Sequence, residues 1–427
     1  MPRSANPEYR TLVKRSRTPL LPLVVNSIAQ ALYIDGYRRA DLADPVAAWQ
    51  WWQANGMDAR QSAITRAALG YGTSYVSVIP GTDPDGAAVP VIRGHSPRRA
   101  HALYEDAGDD WPTWFIRTDP TRVRGKSARV VRLYDDIHEH EFRTGTSTGD
   151  RLEYVASTEH GAGVVPAVAF RVVPDLEGRA DGVVHPLLDL ADRLNQSIFD
   201  LLVAASFSSF KVRTVSGMVP TLDANGKPIP LNVDARRLLM AKDPDTRFSQ
   251  LDETDLRQLI DNADAAIRHL AVIAQVPPSD LVGNLSNLAA DAIAAAKDSQ
   301  NRQKTELQYV LGERWEQVLR LAARIAGDDA GARDMAAQVS WRDVEGRSLA
   351  QIADALGKLA QSLGVPVEGL WSRIPGVSQT DIQTWQRLRM TDRASDPMTR
   401  LADRLGDGAD TGGGGGSGAL AIGNGSN

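Results

Sequence analysis

The sequence predicts an α+β fold, with a mixed N-terminal half followed by long helices, and three observations predict it. Between residues 73 and 157, short β-branched and aromatic stretches alternate with Gly, Asp and Pro, the pattern of an antiparallel sheet with hairpins. From residue 183 onward, apolar residues recur at steps of three and four, the helical period. Residues 288–326 then form one continuous helical pattern, which at about 1.5 Å per residue spans roughly 55–60 Å. A chain of 427 residues is long for one ordinary core and predicts two or three packed units.

Taken in order, residues 1–70 read as helical in pieces. The apolar run 19–34 follows basic residues, as in a signal peptide. Pro19, Pro22, Asn26 and Gln30 interrupt it, however, and no small-residue cleavage site follows, so it is expected to be a folded segment beginning after the prolines. Asp44 and Pro45 suit the N-cap and first turn of a helix carrying Trp49 and Trp52 on one face. QSAITRAALG (61–70) continues as a second helix ending at Gly70. Strands are expected at 73–80, 89–94, 113–118, 129–136, 140–145 and 151–157, with a turn over GTDPDGA (81–87).

A helix follows with Leu187, Leu190, Leu194, Ile198 and Leu201 on one face. Residues 210–250 are mixed, with short strands at KVRTV and RRLLMA and a turn over DANGKP (223–228). A second helix at 253–274 stops at Pro277 and Pro278, since proline lacks an N–H and clashes with the preceding turn. The long helix after the next loop is apolar at both ends, but Lys297–Glu306 in its middle contains no hydrophobic residue. Such a waist bridges parts, faces a channel or meets polar neighbours. A strand at 338–344, an amphipathic helix through Leu349, Ile352, Leu356, Leu359 and Leu363, and a helix at 379–393 complete the ordered pattern. Residues 411–427 are glycine-rich and expected to be flexible.

Composition narrows function. Hydrophobic residues make up 42% and charged residues 24%, ordinary for a globular protein, and no apolar run approaches the roughly 20 residues of a membrane span. With no cysteine, disulfides, thiolate metal sites and cysteine nucleophiles are excluded. A formal net charge of −5 argues against a protein that grips DNA through a large basic excess.

Motifs of catalysis are missing: there is no Walker A loop, no G-x-S-x-G and no H-E-x-x-H. The densest reactive cluster is Asp135-Asp136-Ile137-His138-Glu139-His140-Glu141. On a strand, His138 and His140 share a face and could bind a metal together with a carboxylate, but the expectation is a solvated hairpin without a metal or other cofactor. His185 and His269 read as surface or packing residues, and the glycine pairs at 70/72 and 161/163 as turn and bulge glycines. Trp49, Trp51 and Trp52 could stack on nucleic-acid bases, yet almost no basic residues flank them, which favours a core anchor.

The order of parts, together with the stretches 47–78, 163–207 and 272–327, resembles the portal proteins of long-tailed phages, in the form typical of actinobacterial siphoviruses. The resemblance covers about residues 6–393 and implies a ring, usually of twelve subunits, at one capsid vertex, conducting double-stranded DNA for packaging, head–tail joining and ejection. It implies a wing at 1–182, stem helices at 183–209 and 253–275, a clip at 210–252, a tunnel loop at 276–287, a long kinked helix returning to the wing at 288–345, and a crown at 346–410. Within the clip, Lys211, Arg213, Asp223, Asn225, Lys227, Arg236 and Arg237 are expected to meet the terminase large subunit and a head–tail adaptor. Within the tunnel loop, Asp280, Leu281, Val282, Gly283, Asn284, Leu285, Ser286 and Asn287 are expected to face DNA. The major capsid protein and a scaffold are further implied partners, with assembly in the host cytoplasm. The alternatives are another head–tail connector component, a scaffold protein without DNA, and a metal-dependent hydrolase built on His138 and His140.

Overall fold

The computed structural model describes residues 7–39, 46–82, 85–123, 126–144, 151–208, 213–216, 247–250, 256–282, 290–342, 349–374, 376–377 and 379–395. The chain begins with α1 (Pro7–Ser16) and α2 (Leu20–Ala29), then β1 (Ile34–Arg38), α3 (Val46–Ala54) and α4 (Met57–Tyr71). The helix α2 takes Pro22 within its first turn, where no intrahelical N–H is needed. Strands follow at β2 (Thr73–Thr82), β3 (Ala88–His95), β4 (Ala100–Leu103), β5 (Trp114–Val123), β6 (Lys126–Tyr134), β7 (His138–Thr144), β8 (Leu152–Glu159) and β9 (Ala167–Arg171). The remainder is mostly helical: α5 (Leu188–Ser208), the short strands β10 (Arg213–Ser216) and β11 (Arg247–Gln250), α6 (Leu256–Ile273), α7 (Pro278–Val282), α8 (Ala290–Ala326), α9 (Asp329–Arg333), β12 (Gln338–Trp341), α10 (Leu349–Leu363), α11 (Val367–Leu370) and α12 (Gln379–Ser395).

The strands form one three-stranded sheet in the order β3-β2-β9 and one five-stranded meander in the order β4-β5-β6-β7-β8. Tyr75, Phe115, Tyr134, Val165 and Ala167 pack between them. The main core lies where the first sheet, α2, α3 and α4 meet the C-terminal half of α8. Trp49 and Trp52 stack at 5.5 Å, Trp52 meets Trp315 edge-on at 5.1 Å, and Phe170 meets Trp315 edge-on at 4.6 Å. Trp49 and Trp52 are therefore core anchors, with their faces against other rings instead of free for stacking on bases.

Buried polar side chains tie the pieces together. Gln61 accepts the Ile34 N–H at 2.8 Å and donates to its carbonyl at 3.0 Å, docking β1 on α4. Asn55 does the same for β3, accepting from Ile92 N–H at 2.9 Å and donating to the Pro90 carbonyl at 2.9 Å. Glu316 on α8 accepts the Val339 N–H at 3.1 Å, holding β12, which pairs antiparallel with β1. Glycine at 72 and 182 is a packing requirement: a Cβ would come within 2.1 Å of the Ala180 carbonyl at Gly72, and within 2.4 Å of the Gly70 carbonyl at Gly182. Gly72, at φ +84°, also needs the left-handed conformation.

Two expectations need correction here. Strands β1, β4, β9 and β11 are absent from the expected set, and the strand expected at RRLLMA (236–241) lies outside the described residues. In β9, AVAFR is buried on both faces and so lacks the alternation that marks a half-exposed strand; in β1, Gly36 interrupts a short run. The segment after Pro277 is not a plain loop either. Pro278 opens the helix α7, because a proline at the first helical position gives up only an N–H that would be unpaired anyway.

Candidate functional site

The elements that set this chain apart from an ordinary α+β domain are α5, α6, α7 and α8. Helices α5 and α6 lie against each other, joined through residues 209–255, whose described part is the β10–β11 ladder running from Arg213↔Gln250 to Ser216↔Arg247. Their shared face is narrow: Leu194, Ala263 and Ala266 are buried together with Leu20 of α2. Small side chains let the backbones approach, and polar pairs set the register. Asn262 donates to the Ser197 hydroxyl at 3.1 Å, and Arg193 lies 3.4 Å from Nδ1 of His269. Ahead of α2, the Thr18 N–H donates to Asn195 at 2.9 Å, so the N-terminal segment braces α5.

The charges along this hairpin are mixed. The aspartates Asp189, Asp192, Asp200, Asp261 and Asp264 outnumber the arginines Arg193, Arg257 and Arg268, so neither helix carries the basic stripe of a tight phosphate binder. Large apolar side chains nevertheless stand in solvent on α6: Val272 is 70% exposed and Ile273 50%.

After α6, Gln275 adopts a positive φ of 56° and Val276 is buried before the two prolines. Among the expected tunnel residues, Asp280 is exposed, whereas Leu281 packs against the main core. One helical turn after Pro278 brings the Leu281 side chain to that core. Val282 ends α7, and Gly283, Asn284, Leu285, Ser286 and Asn287 lie outside the described residues. Of the expected clip residues, Arg213 opens β10, while Lys211, Asp223, Asn225, Lys227, Arg236 and Arg237 lie outside the described residues.

The helix α8 is continuous over 37 residues. Its C-terminal half supplies Leu307, Leu311, Trp315, Val318 and Leu319 to the main core. Its polar waist meets a polar neighbour of the same chain, since Gln300 donates to the Ser27 hydroxyl of α2 at 3.1 Å. Nearby, the side-chain Oε1 of Gln303 is buried without a hydrogen-bond partner.

Asp135, His138 and His140 come together at the turn between β6 and β7, with His140 Nε2 3.0 Å from the Asp135 carboxylate. Glu139 and Glu141 point to the opposite face, where Arg132 binds them at 2.7 and 3.1 Å. His185 is an exposed side chain near Asp181. No helix among the described residues is long and apolar enough to cross a membrane.

The family model described as "Phage portal protein, SPP1 Gp6-like" matches residues 4–393. The chain belongs to this family of phage portal proteins. It is similar to the portal protein of Mycobacterium phage D29, at 26% identity over 366 residues covering 79% of this chain and 71% of the relative. The portal protein of Mycobacterium phage L5 is likewise 26% identical over 369 residues, with the same coverage. Among solved structures, it is similar to a chain from the neck of a native GTA particle computed with C12 symmetry, at 14% identity and a TM-score of 0.45, covering 90% of this chain and 94% of that one. It is also similar to an HK97-family phage portal protein from Corynebacterium diphtheriae, at 11% identity and a TM-score of 0.34, covering 79% and 95%. This is a family of structural phage proteins, and the surfaces built by α5, α6, α7 and α8 are the portal chain's candidate site.

Proposed function

We propose that this portal-family chain is one subunit of a closed ring, of twelve copies, that conducts double-stranded DNA through one vertex of a phage capsid. The observation that carries the reading is the order of parts around the stem: α5, an insert based on the β10–β11 ladder, α6, a proline-stopped turn and the long α8. In this reading α5 and α6 form the stem, residues 210–252 the clip that docks the terminase large subunit and later a head–tail adaptor, and 276–287 the loop nearest the DNA. Residues 1–182 form the wing against the major capsid protein and a scaffold, and 346–410 the crown. Assembly takes place in the host cytoplasm and the ring remains at the vertex of the virion.

The physics suits a conduit. Strong phosphate contacts would brake a sliding duplex, and at −5 per chain a ring of twelve carries about −60, which favours passage over grip. Apolar side chains exposed on α6, Val272 and Ile273 among them, suit contacts with neighbouring subunits that close by rotation. The chain itself hydrolyses nothing, and ATP hydrolysis during packaging belongs to the terminase. Native mass spectrometry of the purified chain tests the reading: a large closed oligomer supports it, and a monomer under every condition of salt and concentration overturns it.

A further inference from the structure

The five-stranded sheet carries a side-chain cluster of its own, apart from the stem helices α5 and α6. It lies at the turn between β6 and β7, where Asp135 follows β6 and His138 and His140 sit on one face of β7.

Asp135 is fixed by almost all of its polar atoms. Its N–H donates to the His138 carbonyl at 3.1 Å. Its carbonyl accepts from His160 Nε2 at 3.0 Å, and His160 Nδ1 accepts the Ala162 N–H, which leaves the ring proton on Nε2. Its Oδ1 accepts the amides of Ile137, at 2.8 Å, and His138. Only Oδ2 faces outward, 3.0 Å from His140 Nε2, while His138 Nδ1 lies 3.9 Å from Oδ1.

The ligand atoms of the three residues all lie within 4.8 Å of one another. Two donors bound to one tetrahedral zinc ion at about 2.0–2.1 Å are about 3.3 Å apart. Closing on an ion therefore takes small side-chain rotations and no backbone movement. The His138 ring packs against that of His140, with centroids 5.7 Å apart, which keeps both imidazoles beside the same carboxylate. Glu159 of β8 is exposed and sits directly across the ladder from His138, and opposed residues share a face. The carboxylates on the other face do not compete, being held by Arg132.

We propose that Asp135, His138 and His140 form a surface site for a divalent transition-metal ion, zinc by ligand type, with Glu159 or water completing the coordination. Two imidazoles with a carboxylate favour zinc, cobalt or nickel over magnesium and calcium, which take oxygen ligands. Because all three ligands come from one turn, the ion pins the β6–β7 hairpin and its link to His160.

The test uses the full chain without a polyhistidine tag, stripped with chelator and titrated with Zn²⁺ by calorimetry and with Co²⁺ by visible absorption. One ion per chain is expected, with ligand-field bands of four-coordinate Co²⁺. His138→Ala and His140→Ala should each weaken binding by at least about 100-fold, and His185→Ala should leave it unchanged. Asp135→Asn can still accept the turn amides, so weakened binding in that variant with an unchanged circular dichroism spectrum identifies the carboxylate as a ligand. Absence of stoichiometric binding of either ion, or equal affinity in the His138→Ala/His140→Ala double variant, overturns the proposal.

Discussion

Trp315 is the residue through which the long helix is locked into the main core, and its truncation is the sharpest test of how that core works. It is 1% exposed and meets Trp52 and Phe170 edge-on. Truncating a buried Trp to Ala costs about 3–5 kcal/mol, and edge-on ring pairs add about 0.5–1.5 kcal/mol each beyond area burial. Trp315→Ala therefore belongs at the top of the range, at about 5 kcal/mol. That is comparable with the whole stability of a typical domain, about 5–15 kcal/mol. With a urea dependence of about 2.5 kcal/mol per molar, the unfolding midpoint should fall by about 2 M. Tyr309 on the same helix is 75% exposed, and Tyr309→Ala should move the midpoint by less than about 0.3 M. Both are to be read by tryptophan fluorescence and circular dichroism at one fixed protomer concentration, because assembly shifts apparent stability. Equal shifts in the two variants, or a Trp315→Ala shift below about 0.5 M, would refute the aromatic junction as the anchor of α8.

Burial, offset in part by Arg342, pushes the Asp35 carboxyl up to about 6. A folded-state value above the unfolded one means that stability is greatest while the group is neutral and is lost as pH rises from about 4 to about 6. The displacement corresponds to about 3 kcal/mol, and solvent screening of a half-buried group reduces it to about 1 kcal/mol. Asp35→Asn should therefore stabilise the chain at about pH 7 and not at about pH 4, and thermal melts showing the same difference at both would contradict this. Deleting residues 223–229 should leave the oligomer intact while abolishing terminase or adaptor binding in pull-downs; normal packaging and tail joining by the deletion would remove the clip from that role. Asn284→Lys should assemble normally but slow DNA packaging at low salt, with relief as salt rises. Unaltered packaging at low salt would show that residues 276–287 do not touch the duplex.

The helical half was legible because its period is regular. The repeat from Leu349 to Leu363 bounds α10 as the structure has it, and α5, α6 and α8 start and stop within a few residues of the expected positions. The tryptophans were legible too, since a cluster without basic neighbours belongs in a core. Strands with a buried second face were not, as β9 illustrates, because their apolar residues do not alternate. Nor was the fate of Leu281 readable, since one turn of helix started by Pro278 decides whether it faces the core or the solvent. At the β6–β7 turn, strand alternation placed His138 and His140 on one face but did not single out Asp135 among the nearby carboxylates. It did not show that the backbone and Oδ1 of Asp135 are already engaged, leaving Oδ2 aimed at His140. The clip residues are polar and the tunnel residues mix polar, small and apolar side chains without a period, so only the resemblance to portal proteins gave them roles.

The central claim is that this chain builds a closed conduit. Class averages of the purified, untagged chain in the electron microscope test it directly. The account predicts rings of twelve units around a central hole wide enough for a double helix, with α5 and α6 forming the projecting stem. Compact particles without a hole, or open chains that never close, would contradict it.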